Sequence, residues 1–274
     1  MSIPILFFHA TNPEYLGHTL KQAKNTNPSS DIILLGDDSN NTYDFVQHHK
    51  FMDYYDTASG LEKIFFNLST NNPQFEYICF ARWFIIRDFC RKHNIDKFFY
   101  CDSDVLLYCD ITEEYEKFKD YRYTLTHNIS AGIAFVNNIE VLDDFCKLTM
   151  DIYSKRDSFN LTKCEQHFQN LQKHGRAGGV CDMTVWHIYR NIGNPGDVGE
   201  TSAILNNSAF DHNINGDDGY ETENGVKKVY WQGNEPYCKN IRLNRLIKFN
   251  CLHFQGGNGK LLIPLYAKAS GGAQ

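Results

Sequence analysis

Residues 98–108 read FFYCDSDVLLY, an apolar run with two aspartates set into its middle. Side chains alternate along a strand, so Asp102 and Asp104 are expected to point to the same face. Two neighbouring carboxylates in a buried strand repel each other, and burial removes their hydration. A cation between them would offset both costs. This run therefore predicts a strand that carries a divalent metal ion.

The composition is typical of a soluble globular protein, with 42% hydrophobic and 22% charged residues in a chain of 274. The net charge of −6 leaves no basic surface for nucleic acid, so we expect no nucleic-acid partner. The nine cysteines are scattered and include no Cys-x-x-Cys pair, which argues against a disulfide framework or zinc ribbon and favours a reducing compartment. With no leader and no membrane-spanning run, the chain is expected to be cytoplasmic, and peripheral membrane contact is left open.

The first part of the chain alternates short apolar runs with amphipathic segments. The predicted elements are strand 3–8, helix 14–25, strand 31–35, helix 43–46 and strand 51–55. This β-α-β-α-β order predicts a parallel sheet with right-handed crossovers. Ligands bind beyond the carboxyl ends of such strands, which places loops 9–12 and 36–38 at a candidate site.

The rest of the chain predicts a mixed α/β fold. A mainly parallel sheet is flanked by helices, and a loop-rich part with short antiparallel strands follows it. The predicted helices are 76–93, 111–119, 138–153 and 180–192, with a helix or helical turn at 61–70 and a helix or pair of turns at 158–173. The further strands are 121–126, 129–136, 203–205, 227–231 and 246–254. We expect one domain over residues 1–266 and a flexible tail of small and polar residues over 267–274.

A metal site needs more than two carboxylates, and His253 is the best candidate for a third ligand. It ends an apolar strand and is followed by three glycines between 256 and 259 and by Lys260. Glycines let backbone N–H groups approach phosphate oxygens, and a lysine adds a positive charge. Oxygen and imidazole ligands together favour Mn²⁺, with Mg²⁺ as the alternative. The sequence thus predicts a metal that holds a diphosphate.

Several motifs occur in the order known from one family. An Ala-Arg pair at 81–82 precedes the Asp-x-Asp strand, Ser-Ala-Gly follows at 130–132, and an aspartate-led helix at 182 and a His-Phe-x-Gly motif at 253–256 come later. This set resembles the GT-A-fold glycosyltransferases, most closely the glycogenin and bacterial lipopolysaccharide galactosyltransferase type. The resemblance implies a Rossmann-like GT-A domain with a nucleotide-binding half at 1–110 and a sugar and acceptor half at 111–266.

The resemblance also implies the residues of the site. The metal ligands would be Asp102, Asp104 and His253, and the catalytic candidates are Asp182 and Asp104. Residues implied in binding the nucleotide and the donor sugar are Ala10, Thr11, Asp37, Arg82, Asp102, Ser103, Ser130, Ala131, Gly132, Gly256 and Lys260. Residues 130–132 would shape the sugar pocket, and Gly256 and Lys260 would contact the diphosphate.

Two positions depart from the family pattern. Ser130 stands where the family usually has asparagine, and Asp182 is followed by Met183 where the family often has glutamine. Asp182 has three interpretations: a base that deprotonates the acceptor, a contact to sugar hydroxyls, or the N-cap of its helix. The family suggests transfer with retention, and a well-placed Asp182 base would permit inversion.

The residues and the resemblance together predict a metal-dependent transferase. It would move a sugar from a nucleotide-diphosphate donor, with UDP-sugars favoured, to a saccharide or lipid-linked acceptor. Acceptor contacts are expected from the loop-rich region 194–245, which contains Tyr220, Tyr230, Trp231 and Tyr237. One alternative is a nucleotide-sugar hydrolase or nucleotidyltransferase, although the loop after the first strand lacks the glycine-rich, basic character usual in nucleotidyltransferases. Another is a non-catalytic module that binds nucleotide sugars.

Overall fold

The computed structural model describes residues 2–155 and 158–270. Its strands are β1 Ile5–Phe8, β2 Ile32–Gly36, β3 Gln47–Lys50, β4 Phe98–Cys101, β5 Val105–Leu107, β6 Tyr123–Leu125, β7 Ile133–Val136, β8 Val198–Glu200, β9 Ser208–Phe210, β10 Thr222–Glu223, β11 Val226–Lys227, β12 Val229–Gln232, β13 Glu235–Asn240 and β14 Arg245–His253. Its α-helices are α1 Glu14–Thr26, α2 Asp56–Glu62, α3 Pro73–His93, α4 Ile111–Tyr115, α5 Glu140–Ser154, α6 Phe159–Lys173, α7 Asp182–Ile192, α8 Gly256–Lys260 and α9 Ile263–Ser270. Short 3₁₀ helices occupy Phe51–Tyr54 and Pro195–Asp197. No helix within the described ranges has the length and apolar character needed to span a bilayer.

A seven-stranded sheet with the order β3-β2-β1-β4-β7-β6-β8 forms the centre of the fold. Most neighbouring strands are parallel, and β7 runs antiparallel to both β4 and β6. The residues of β1 are buried on both faces, as expected for a parallel strand that is covered by helices on either side. The predicted mixed, mainly parallel sheet is confirmed.

Helices cover both faces of this sheet. Leu6 and Phe8 of β1 pack in the same core cluster as residues of α3, α5 and α7. Ile5 and Phe7, which point the other way, pack with Leu16 and other residues of α1. The alternation along β1 therefore separates two apolar layers, one on each side of the sheet.

A second sheet has the order β12-β13-β14-β5, with β9 paired to β14. Here β14 runs antiparallel to β5, so that His253 lies opposite Val105. A separate two-stranded hairpin is formed by β10 and β11. The predicted antiparallel strands near the C-terminal part of the chain are confirmed, and β14 brings His253 to the end of the aspartate run.

The aspartate run is not one continuous strand, and this prediction was wrong. The strand β4 ends at Cys101 and belongs to the large sheet, whereas β5 begins at Val105 and belongs to the second sheet. Residues 102–104 form a turn in which the Val105 N–H donates to the Asp102 carbonyl at 3.1 Å. The two aspartates are therefore brought together by a turn between two sheets rather than by the alternation of one strand.

Four other local predictions were wrong. Residues 43–46 form a turn rather than a helix, and the third strand is 47–50, followed by a 3₁₀ helix where a strand was expected. The helix expected at 61–70 begins earlier and ends at Glu62. At 203–205 only an isolated bridge from Leu205 to Ser208 forms. Each of these segments is short, so pairing with neighbours outweighs its own propensity.

The end of the chain differs in part from the expected tail. Residues 267–270 continue the helix α9. Residues 271–274 lie outside the described residues. The glycine-rich stretch after His253 also differs from the expected loop, because residues 256–260 form one short helical turn that starts from Gly256 at a φ of 79°.

Candidate active site

A cleft of about 770 Å³ opens at the carboxyl ends of β1 and β4. One wall comes from the loop after β1 and from the turn at 102–104. The opposite wall is the face of α3 that presents Glu76, Cys79 and Arg82, together with the start of α7. The stretch 255–260 closes one end. The site expected from the strand order is therefore a formed cavity.

Three predicted ligands converge at the floor of this cleft. Ligand atoms of Asp102, Asp104 and His253 all lie within 4.8 Å of one another. His253 Nε2 is 3.2 Å from Asp104 Oδ1 and 3.9 Å from Asp102 Oδ2. Two carboxylate oxygens and one imidazole nitrogen in this arrangement can bind a divalent cation.

Two backbone hydrogen bonds position the turn that carries Asp102 and Asp104. The Asp102 N–H donates to the Gly132 carbonyl at 2.7 Å, which ties the turn to the large sheet. The Phe254 N–H donates to the Asp104 carbonyl at 2.9 Å, which ties it to β14. The turn is therefore fixed from both sides, so the carboxylates are positioned before any ligand binds.

Lys260 adds a positive charge beside the cluster. Its Nζ lies 3.4 Å from Asp104 Oδ2. Burial opposes ionisation of Asp104, but the hydrogen bond from His253 and the charges of His253 and Lys260 outweigh it and lower the pKa of the carboxyl. Burial raises the pKa of the Asp102 carboxyl, Arg82 opposes that change, and the charge of Asp104 adds to it. The two aspartates thus differ in how easily they ionise without a cation.

Arg82 joins Asp102 to Asp182. Its guanidinium donates to Asp102 Oδ1 at 2.7 Å and to Asp182 Oδ2 at 2.6 Å. The Tyr100 hydroxyl also donates to Asp102 Oδ1, at 3.0 Å. Oδ1 of Asp102 is therefore engaged by the protein, and Oδ2 faces His253. Arg82 thus reaches the site from α3 and links two of its carboxylates.

Asp182 makes three hydrogen bonds within the protein. Besides Arg82, the Trp83 Nε1–H donates to its Oδ2 at 2.9 Å, and the Met183 N–H donates to its Oδ1 at 2.9 Å. The side chain is buried. The N-cap of α7 is Cys181, and Asp182 is the first helical residue. The N-cap interpretation of Asp182 was therefore wrong by one position.

Gly132 lies directly against Asp102. A Cβ atom at Gly132 would come closer than 3.0 Å to Asp102 Oδ2 and would lie 3.1 Å from its Cγ. Ser130 borders the cleft, and Ala131 is buried beside it. Of the residues predicted to shape a sugar pocket, Ser130 thus faces the cavity, and Gly132 leaves room for the Asp102 carboxyl.

The residues predicted at the nucleotide end are also brought together. The Thr11 N–H donates to Asp37 Oδ2 at 2.7 Å, and Thr11 has a φ of 78°. The Asn40 amide, which the sequence reasoning missed, donates to the carbonyls of His9 and Thr11 at 2.8 Å. Ala10 borders the cleft. The loops after β1 and β2 therefore form one connected unit.

Other site residues were missed at the sequence level. His9 borders the cleft, and its Nδ1 lies 2.8 Å from the Ser103 hydroxyl. Burial and the charge of Lys260 lower the pKa of His9 to about 4, so its ring is neutral near pH 7. Glu76 also borders the cleft, and the two i,i+3 steps from Glu76 through Cys79 to Arg82 were the signal that could have found it.

A buried ion pair contacts the backbone of His253. Asp211 Oδ2 accepts the His253 N–H at 3.1 Å, and Asp211 Oδ1 is 2.8 Å from Lys227 Nζ. Both Asp211 and Lys227 are 1% exposed. Their separation in sequence gave no signal of this contact.

The expected acceptor contacts from 194–245 are not found at the cleft. The structure describes this whole region, yet none of its residues borders the cavity. Tyr220 is buried against Phe249, and Trp231 packs against Tyr108. These aromatic side chains stabilise the second sheet.

No family model matches the sequence. No curated protein is similar to it. Among solved structures, the chain is similar to mouse xyloside xylosyltransferase 1, with 11% identity over 73% of this chain and 85% of that one and a TM-score of 0.43. It is similar to the bifunctional glycosyltransferase WbbM, with 12% identity over 98% of this chain and 51% of that one and a TM-score of 0.46. GlyE of Streptococcus pneumoniae is 17% identical over 67% of this chain and 46% of that one, with a TM-score of 0.34.

The chain has a GT-A-like fold. It spans about half the length of WbbM and of GlyE. The mainly parallel seven-stranded sheet, with the Asp-x-Asp turn after its central strand β4, is consistent with this fold.

Proposed function

We propose that this protein is a metal-dependent glycosyltransferase. It moves a sugar from a nucleotide-diphosphate donor, with a UDP-sugar favoured, to a saccharide or lipid-linked acceptor. One observation carries the proposal: Asp102, Asp104 and His253 converge at the floor of a cleft, with Lys260 beside them. This combination suits a metal together with the anionic diphosphate that it would hold.

The donor set fits a divalent cation. Two carboxylates that repel each other and a buried imidazole are brought within 4.8 Å, an arrangement that a cation would stabilise. Mixed oxygen and nitrogen ligands favour Mn²⁺, with Mg²⁺ as the alternative. When bound, the ion supplies positive charge that stabilises the leaving diphosphate. Asp102 Oδ2, Asp104 and His253 would hold it.

The chain's own residues bind and orient the donor. Lys260 donates to an oxygen of the diphosphate and so offsets the negative charge that develops as the sugar leaves. Gly256 and Gly257 border the same end of the cleft and permit close approach of the backbone. Thr11 and Asp37, which are joined by a hydrogen bond and follow the cleft-lining residue Ala10 and strand β2, would bind the nucleotide although neither lines the cleft itself.

Asp182 supports the sugar rather than the proton transfer. A general base needs a lone pair within reach of the acceptor, and both Asp182 oxygens already accept hydrogen bonds inside the protein. Arg82, which Asp182 orients, points at the donor end. This arrangement favours retention over an inverting reaction that uses Asp182 as its base.

We infer the cellular compartment from the free state of the cysteines. All nine are free, which supports the expectation of a reducing, cytoplasmic compartment. Contact with a membrane surface would then be needed only for a lipid-linked acceptor.

The test combines binding with turnover. Thermal shifts are measured with UDP and a panel of UDP-sugars, with and without Mn²⁺, on the wild type, on Asp104→Ala and on the control Asp96→Ala, which changes an exposed aspartate. A ligand at 100 times its Kd stabilises the folded state by about 2.7 kcal/mol. We expect a Mn²⁺-dependent shift in the wild type and the control that Asp104→Ala abolishes.

Turnover of the donor distinguishes the alternatives. Product chromatography that shows sugar attached to an acceptor supports the proposal. Release of free sugar alone would identify a hydrolase, and tight donor binding without any product would identify a binding module. Donor turnover that survives unchanged in Asp104→Ala refutes the metal-dependent mechanism.

A further inference from the structure

Glu76 has a buried carboxylate, one oxygen of which accepts no hydrogen bond from the described residues. It is 1% exposed, and it borders the cleft. Its Oε1 accepts a hydrogen bond from the Asn71 amide at 2.7 Å. Its Oε2 is buried and has no hydrogen-bond partner among the described residues. A buried carboxylate oxygen without a donor is costly to keep, so its retention at a cavity wall points to a donor that arrives with a ligand.

The position of Glu76 separates it from the metal ligands. Glu76, Cys79 and Arg82 recur every three residues along α3 and all face the cleft. Six residues of helix span about 9 Å, so Glu76 lies that far along the axis from the arginine that contacts Asp102. A group bound at Glu76 would therefore lie along α3 from the Asp102 contact, in the part of the cleft that α3 and the start of α7 line.

Apolar side chains line the cleft together with Glu76. They include Phe75, which is 57% exposed, and also Ile78 and Met183. Apolar walls with one or two placed polar groups are typical of small-ligand sites. An exposed aromatic ring and a carboxylate together match the apolar faces and the hydroxyls of a saccharide ring.

The loop at 178–181, which also borders the cleft, is held by backbone contacts. The Val180 N–H donates to the Leu68 carbonyl at 2.9 Å, and Ser69 forms a strand-like bridge with Gly179. A Cβ at Gly179 would come closer than 3.0 Å to that carbonyl and to Ser69. The loop at 178–181 is therefore fixed against the loop before α3, which preorganises the space in front of Glu76.

We propose that Glu76 is a binding residue of the acceptor subsite, where its Oε2 accepts a hydrogen bond from a hydroxyl of a saccharide acceptor. The inference rests on the proposed function and deepens it, because it places the acceptor between the first turns of α3 and the start of α7. It also replaces the region 194–245 as the source of acceptor contacts.

A binding role and a structural role predict opposite effects on stability. Burial raises the pKa of the Glu76 carboxyl, and the nearby charge of Asp182 adds to this, against the side chains of Asn71 and Ser69, which lower it. The ionised form of Glu76 thus destabilises the ligand-free protein, so removal of the charge in Glu76→Gln should stabilise the fold. A structural glutamate would behave in the opposite way, since its loss would remove a needed contact.

The test uses methyl glycosides of glucose, galactose and xylose as probes. Their binding is followed by saturation-transfer NMR with and without UDP and Mn²⁺, and melting temperatures are recorded in parallel. The variants are Glu76→Gln, Glu76→Asp, which keeps the charge but shortens the side chain, and the control Glu113→Gln, which changes an exposed residue of α4. We expect at least one glycoside to bind the wild type and the control.

The expected changes are specific to each variant. Glu76→Gln should weaken glycoside binding by about 10-fold to 100-fold, the usual effect of losing a hydrogen bond to a charged group. Its melting temperature should rise by roughly 2–4 °C. Glu76→Asp should weaken binding without that gain, because the buried charge remains.

Three outcomes would overturn the inference. They are unchanged glycoside binding in Glu76→Gln, a lower melting temperature of that variant, and a wild type that binds none of the glycosides. The proposed function is judged separately, by Mn²⁺-dependent UDP binding to the wild type. Loss of UDP binding with retained, Glu76-dependent glycoside binding would refute the proposed function and keep the saccharide subsite.

Discussion

Gly132→Ala is the sharpest probe of the metal site, because it changes no ligand and no charge. The added Cβ would come closer than 3.0 Å to Asp102 Oδ2, the oxygen that faces His253. The other oxygen of Asp102 is held by Arg82 at 2.7 Å and by Tyr100 at 3.0 Å. The carboxylate therefore has little freedom to turn away from the new methyl group.

The size of the effect follows from these distances. Ordinary contact of a Cβ begins at 3.4 Å, so Oδ2 must move by at least 0.4 Å, the difference between 3.4 and 3.0 Å. Metal–ligand distances are held to within roughly 0.2 Å, so the displacement is about twice the tolerance of a site. Disturbances of this kind usually reduce metal affinity by about 10-fold to 100-fold. Overpacking of the core adds a destabilisation of about 1–3 kcal/mol.

The assay is titration of Mn²⁺ into the protein by calorimetry, with and without UDP, together with a urea unfolding curve. Gly60→Ala is the matched control, since Gly60 lies in α2 and no atom would lie within 4 Å of its added Cβ. The control should keep its Mn²⁺ affinity and gain about 0.5–1 kcal/mol of stability, as alanine does over glycine inside a helix.

One result would refute the reasoning. If Gly132→Ala binds Mn²⁺ as tightly as Gly60→Ala does, then Asp102 does not hold the metal through the oxygen that Gly132 shelters. A loss of stability without a loss of affinity would lead to the same conclusion.

Three further predictions concern the ligands, their support and the effect of pH. His253→Gln should abolish Mn²⁺ binding measured by calorimetry, because the imidazole ligand is lost, and normal Mn²⁺ affinity in this variant would remove His253 from the ligand set. Lys227→Met leaves Asp211 as an unpaired buried charge and should lower the free energy of unfolding in urea by about 3–5 kcal/mol, whereas Lys119→Met at an exposed position should have little effect; equal losses would contradict the role of the buried pair. The folded protein holds the Glu76 proton more tightly than the unfolded chain, so wild-type stability falls as the pH rises from the usual value of 4.5 through the raised pKa. The melting-temperature gain of Glu76→Gln should therefore be present at pH 7–8 and shrink toward pH 4.5, and a gain independent of pH would exclude this cause.

The long and strongly patterned elements were predictable from the sequence. The helix α3 has a regular apolar face, an Asn72 N-cap followed by proline, and a left-handed Asn94 at its end. The parallel strands β1 and β2 are short, continuous apolar runs. In each case local propensity and the final packing agree, so the pattern alone was informative.

The convergence of Asp102, Asp104 and His253 was predicted correctly, but for a reason that the structure does not support. Asp102 and Asp104 were expected to meet through the alternation of one strand, and a turn between two sheets brings them together instead. Apolar residues flank the turn on both sides because each flank is buried in a different sheet. A continuous apolar run cannot distinguish one strand from two strands in different sheets.

The supporting residues could not be predicted. Asp211 and Lys227 meet because the Lys227 N–H donates to the Ile214 carbonyl and the Ile214 N–H donates to the His253 carbonyl, and nothing in the spacing of the two residues indicates these contacts. The polar strand Gln47–Lys50 was missed for a similar reason, since it is an edge strand that depends on pairing with β2. Such features are decided by tertiary contacts.

The pairing of β5 with β14 has a consequence for biosynthesis. β5 emerges from the ribosome shortly after β4, but the strand that completes its sheet begins at Arg245. Until then β5 remains an unpaired edge of buried residues, which is the kind of surface that chaperones recognise and that promotes aggregation. Assembly of the metal-ligand cluster therefore waits for one of the last strands to be made. A partly synthesised chain would contain both aspartates and no complete site.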